Sequence, residues 1–102
     1  MENQELKLNG KKENFKNENA SHLDEDQLFL ISAQKNKKYK IEKIIAGQSL
    51  TQRLCSIGIV PGEIIFINDI SNWGPITVVV KGVKIALGRG VACKILLRKL
   101  KS

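Results

Sequence analysis

Residues 47–62 read Gly-Gln-Ser-Leu-Thr-Gln-Arg-Leu-Cys-Ser-Ile-Gly-Ile-Val-Pro-Gly. Within this stretch a helix begins, runs for an amphipathic turn and a half, stops at a glycine and leaves through a Pro-Gly turn. The sequence on both sides is strand-like, so one short helix is set into an otherwise β chain, and few small folds accommodate that arrangement. Ser49 has the side chain of an N-cap, and Gln52 three residues later completes a Ser-x-x-Gln capping box. Leu50, Leu54 and Ile57 follow at i, i+4 and i+7, one apolar stripe for a core, while Gln52, Arg53 and Ser56 fall on the wet side. The spacing predicts a helix over about 49–57. Gly58 can take the left-handed conformation that ends it, and Pro61-Gly62 fits the central positions of a type II turn.

Upstream, Leu28 to Ala33 is a short apolar run expected to form a first edge segment over the core. It leads into the polar loop Gln34 to Lys38. Tyr39 to Ile45 alternates as a strand does, with Lys40, Glu42 and Lys43 wet and Ile44-Ile45 suggesting a bulge or burial on both faces. Downstream, Glu63 to Ile70 is rich in β-branched residues, and Phe66 at its middle is expected to be buried. A loop carrying Trp73 follows. Ile76 to Lys81 and Val83 to Leu87 then flank a tight hairpin at Gly82. Gly88-Arg89-Gly90 breaks the pattern before a single helical turn at residues 91–93, and Lys94 to Leu100 is a last strand. Five to six short strands and one helix suggest a small closed barrel, closure being one way to remove exposed edges.

Composition divides the chain at residue 27. Residues 1–27 hold six apolar residues and four lysines against seven carboxylates, and cannot repay the entropy of ordering. They are expected to be a disordered polar tail. Residues 28–102 hold 37 apolar residues in 75 and thirteen cations against Glu42, Glu63 and Asp69, a net charge of +10. This segment can form one domain. A field of that sign attracts nucleic acid, anionic head groups or an acidic protein surface. No run approaches the roughly 18 apolar residues that span a bilayer, and the N-terminus lacks the apolar segment of a secretory signal. Cys55 and Cys93 match no metal or redox spacing and are expected to be reduced core residues of a cytosolic protein.

The parts of a catalytic centre are sparse. The one histidine, His22, lies in the polar tail; the three carboxylates of the folded segment form no pair by position, and neither cysteine has a core histidine to activate it. An enzyme is therefore not expected, nor a resident cofactor. His22 with Asp24, Glu25 and Asp26 could chelate a divalent ion weakly, against the simpler reading of a solvated acidic patch. Nucleic acid is an alternative partner on charge alone, disfavoured by the shortage of stacking aromatics. A metal-sensing regulatory fragment is a further alternative. Trp73 reads equally as a partner anchor or as a cover over one end of the barrel. Arg89, between two glycines, reads as a donor to loop carbonyls or as a contact to an acidic partner.

Three motifs occur in a familiar order. Arg53 to Gly62 resembles the Arg-Leu-x-x-Leu-Gly-Ile-x-Pro-Gly signature of the ferrous iron transport protein A (FeoA) family. Gly74-Pro75-Ile76 resembles that family's Gly-Pro-Ile, and Val80 to Ala92 its Val-x-Gly-x-x-Ile-Ala-Leu-x-Arg-x-x-Ala. The match spans roughly residues 30–100; Gln34 and Asn36 depart from it, standing where Leu and Gly are expected. The resemblance implies an SH3-like barrel and a cytosolic accessory of ferrous iron uptake that contacts the cytoplasmic portion of an iron permease without inserting into the membrane. The module also occurs as the C-terminal domain of iron-dependent repressors. Arg53, Trp73 and Arg89 are the expected partner contacts, and self-association through an uncovered strand is a further possibility.

Overall fold

The computed structural model describes residues 23–101. Six antiparallel strands form one sheet: β1 (Gln27–Phe29), β2 (Lys38–Ile44), β3 (Ile64–Ile70), β4 (Ile76–Val80), β5 (Val83–Leu87) and β6 (Ile95–Lys99), in the spatial order β1-β6-β2-β3-β4-β5. A 3-10 turn (Leu30–Ser32) follows β1. Helix α1 (Gln48–Ser56) connects β2 to β3, and the single turn α2 (Arg89–Ala92) connects β5 to β6. The expected small barrel with one principal helix is what forms. Its ladder is not closed, because among the described residues β1 and β5 are edge strands with no bonds to each other.

The core is wholly aliphatic at its centre. Leu30, Ile41, Ile59, Ile65, Ile67, Ile76, Val78, Ile95 and Leu97 have no exposed surface, and no polar or charged side chain among the described residues is buried with them. Two bulges set which residues reach this core. On β2 the register against β6 shifts between Ile41 and Lys43, so that Lys43 faces out and Ile44 packs inward. On β3 the shift lies between Ile67 and Asp69, which turns Asp69 out and Ile70 in. One extra residue reverses the period-2 alternation, and both strands use it to keep a charge out of the interior.

The helix ends as its sequence implies. Gly58 has φ +97°; its N–H donates to the Cys55 carbonyl at 3.0 Å and that of Ile59 to the Leu54 carbonyl at 2.9 Å. These are the two bonds of a Schellman motif, and the accompanying apolar contact is Leu54 with Ile59, both core residues. The exit turn places Gly62 at φ +97°, with the Glu63 N–H donating to the Val60 carbonyl at 3.2 Å. Gly62 also donates to the Ile41 carbonyl at 2.7 Å, fastening the turn to β2. The β4–β5 hairpin has positive φ at both Lys81 and Gly82, the requirement of a two-residue primed turn. Asn36, the residue standing where the family pattern has Gly, takes φ +66°, a conformation asparagine tolerates better than most side chains.

Several expectations are corrected. The helix begins one residue before Ser49: its N-cap is Gly47, with no side-chain cap bond, so the capping box does not form. The Ile45 N–H is held by the Lys94 carbonyl at 2.8 Å, which delivers the chain to the helix already turned. Ile57 is not part of the core stripe, because the helix ends at Ser56 and Ile57 sits at its C-cap, 48% exposed. Phe66 lies half-buried on the outer face of β3, since Ile65 and Ile67 occupy the inward positions. Cys55 and Cys93 are free but exposed rather than in the core.

The polar tail expected over 1–27 has its residues 1–22, and with them His22, outside the described part. Residues 24–27 form a hydrogen-bonded turn that leads directly into β1, and the Asp26 carbonyl accepts from the Lys99 N–H at 2.7 Å.

Candidate functional site

A groove of about 380 Å³ runs between α1 and the end of β5. Leu50, Arg53 and Leu54 line it from the helix, Ile57 from its C-cap, Ala86 and Leu87 from the strand, and Val91 from α2. Its origin is local. Helical spacing puts Leu50 and Leu54 on one face, the Schellman stop leaves Ile57 at the mouth, and the bend at Gly88 turns Val91 back toward them. Leu54 and Leu87 form a buried floor, whereas Ile57 stays half-exposed. An apolar floor with an uncovered apolar rim and one cation fits a partner's aliphatic or aromatic side chain flanked by a carboxylate. It holds no nucleophile with a base and no converging acids.

The three expected contact residues fall in two places. Arg53 is exposed on the groove wall. Arg89 is engaged structurally: its Nη2 donates to the carbonyls of Ser71 at 2.6 Å and Asn72 at 2.9 Å. Those bonds hold the loop that carries Trp73, which is also braced by the Gly74 N–H donating to Ser71 Oγ at 3.1 Å. Trp73 itself is 95% exposed and covers nothing. The short α2 turn thus joins the two regions, Arg89 fixing the tryptophan loop and Val91 facing the groove. Sequence reasoning missed Ile57, Leu87 and Val91 as groove residues. For Ile57 the signal was its place directly before a helix-stopping glycine, which takes it out of the helical period.

The acidic cluster is otherwise occupied. Asp24 Oδ1 accepts the Asp26 N–H at 2.9 Å, and Oδ2 lies 3.3 Å from Arg98 Nη2. The Asp26 amide first, and the Arg98 guanidinium with it, hold the Asp24 carboxyl below its usual value against a smaller opposing effect of desolvation. Glu42 takes Arg98 Nε at 2.8 Å and Gln27 Nε2 at 2.9 Å, and this Glu42 bond is the leading cause that raises the Arg98 pKa. Among the described residues no group of three His, Cys, Asp or Glu side chains is placed to hold a metal ion. No described helix is long and apolar enough to cross a membrane.

Comparison with known proteins follows the same outline. The FeoA domain family matches residues 30–99. A Methanocaldococcus jannaschii protein described as a candidate Fe(2+) transport protein A is 39% identical over 67 residues, covering 66% of this chain and 80% of its own. A crystal structure of an iron uptake regulatory protein (FeoA) superposes with a TM-score of 0.69 at 32% identity, over 72% of this chain and 99% of that one. A manganese-dependent transcriptional repressor in complex with manganese gives a TM-score of 0.69 at 20% identity, over 72% of this chain and 37% of the repressor, a likeness of fold alone.

Proposed function

The chain belongs to the FeoA domain family, which is associated with Fe(2+) transport, and from that premise we propose that it is a cytoplasmic accessory that docks on the cytoplasmic domain of a ferrous iron permease. The single observation that carries the reading is the groove: an apolar slot left open between α1 and β5, with an arginine at its wall and no reactive constellation inside it. A partner inserts an apolar side chain between Leu54, Ile57 and Val91 and sets a carboxylate against Arg53. Burying the exposed half of Ile57 supplies the hydrophobic part of the affinity. Arg53 adds orientation and rate of encounter more than strength, as charges at a rim do.

Pulldown and titration against a purified permease cytoplasmic domain test this. Ile57→Asp places a charge in the slot and should weaken binding by about tenfold or more, the loss of roughly 1.4 kcal/mol or above expected at an anchor. Because Ile57 is half-exposed, the melting temperature should hardly move. Arg53→Glu should slow association and make it less salt-sensitive. Full-strength binding by the Ile57→Asp protein would remove the groove from the mechanism.

A further inference from the structure

The outer face of the sheet forms a second surface that the groove does not use. Strand register places Lys38 opposite Phe66, Phe66 opposite Val79 and Val79 opposite Lys84, one row across β2, β3, β4 and β5. With strands about 4.8 Å apart, the row spans roughly 14 Å. The next row sets Arg98 opposite Lys40 and Lys40 opposite Ile64. The surface therefore has an apolar centre, with Ile64 43% exposed and Phe66 and Val79 half-buried, between lysines on both flanks. The bordering acids are already taken, Glu63 by Lys81 at 3.2 Å and Glu42 by Arg98 at 2.8 Å. Lys38, Lys40 and Lys84 have no carboxylate partner among the described residues.

We infer that this face is a peripheral contact surface for an anionic lipid bilayer, with Ile64 and Phe66 seated at the head-group boundary and Lys38, Lys40 and Lys84 against lipid phosphates. Charge complementarity selects an anionic occupant, because three cations with no carboxylate partner among the described residues flank the patch. Each basic residue close to an anionic leaflet adds to the attraction, and lysine stems can lie along apolar surface while their ammonium groups reach outward. The apolar centre decides between anionic occupants. A single-stranded nucleic acid gains its sequence-tolerant affinity by stacking successive bases on aromatics, and this face offers one aromatic among aliphatic side chains. Isoleucine and valine offer bases nothing comparable, whereas apolar area buried at a head-group boundary adds to membrane affinity. The inference goes beyond the groove reading and does not require it, since a vesicle presents no permease.

Flotation of the full chain with vesicles tests it. Binding is expected to phosphatidylcholine vesicles containing roughly a third phosphatidylglycerol, not to phosphatidylcholine alone, and should fall as salt rises from about 0.1 M to about 0.5 M. Lys38→Glu combined with Lys84→Glu should lower the affinity at least about tenfold. Arg53→Glu with Lys94→Glu changes the net charge equally but lies off this face, and should cost much less. Ile64→Gln should weaken binding a few-fold with every charge kept, and Lys38→Gln with Lys84→Gln repeats the test if the reversals perturb folding. Absence of binding to the anionic vesicles, or equal losses in the on-face and off-face pairs, would overturn the assignment. So would salt-sensitive retention of single-stranded RNA that the Lys38 and Lys84 changes abolish while vesicles are ignored.

Discussion

The groove beside α1 and the outer face of β2–β5 both combine apolar side chains with cations and use them in opposite ways. In the groove, Leu54 and Leu87 are buried and a single arginine stands on the wall, so the apolar groups are concave and the charge is peripheral. On the outer face Ile64 is exposed and Phe66 and Val79 are half-buried in line between lysines, so the apolar groups lie across an open sheet face and the charges flank them. Shape separates the two: a slot can enclose one side chain, whereas an open sheet face meets an extended surface. The difference lies in the strand register that aligns Lys38, Phe66, Val79 and Lys84 on one side, and in the Schellman stop that leaves Ile57 at the mouth of the slot on the other.

This contrast can be broken at its core. Leu54→Ala should cost about 2–5 kcal/mol in urea unfolding, because the groove floor is also the core and would be left as a cavity. Phe66→Ala on the half-exposed face should cost clearly less; equal costs would mean that the outer face is core after all. Gly62→Val should follow at roughly 1–3 kcal/mol, since a β-branched residue is forced to φ +97° where the turn links the helix to β3. A thermal melt as high as that of the unsubstituted chain would show that this turn does not set the geometry common to both surfaces.

Smaller effects sharpen the comparison. Arg89→Ala should leave the melting temperature nearly unchanged yet speed amide exchange at Gly74, since it frees the loop carbonyls of Ser71 and Asn72. If the groove variant Ile57→Asp alters permease binding and Arg89→Ala does not, the tryptophan loop is separate from the groove in function as well as in place. The smallest effect is expected at Asp24. Its folded pKa is lowered from 3.8, so its contribution is present above that value and is lost as pH falls through the folded pKa. Asp24→Asn should therefore lower stability slightly near neutrality, and the difference from the unsubstituted chain should vanish in acid. A difference that persists there would point to packing rather than charge.

Much of the fold was legible because its punctuation is local. Gly58, Gly62 and Gly82 each take the positive φ that only a few residues accept, and the motif around each states the turn by itself. Phe66 was misplaced because Glu63 to Ile70 is apolar in both phases of its alternation, so period 2 could not say which side was inward. Ser49 was misread as the cap because the entry to α1 is fixed by a bond from Ile45 to Lys94, 49 positions apart in the numbering. Of the expected contacts, Arg53 was placed by helical spacing alone. The role of Arg89 depends on carbonyls 17 and 18 residues away, which no local pattern specifies.

The amino-acid order by itself determined one basic, isoleucine-rich β domain with a single principal helix, its stops and its tight turns, because steric rules act over a few neighbouring residues. Only the tertiary structure decided where the two bulges fall, which edges stay unpaired, and which apolar side chains line a slot or lie on the open sheet face. Those choices follow from strand register and from bonds between distant segments, where the free energy depends on what each residue meets across the sheet.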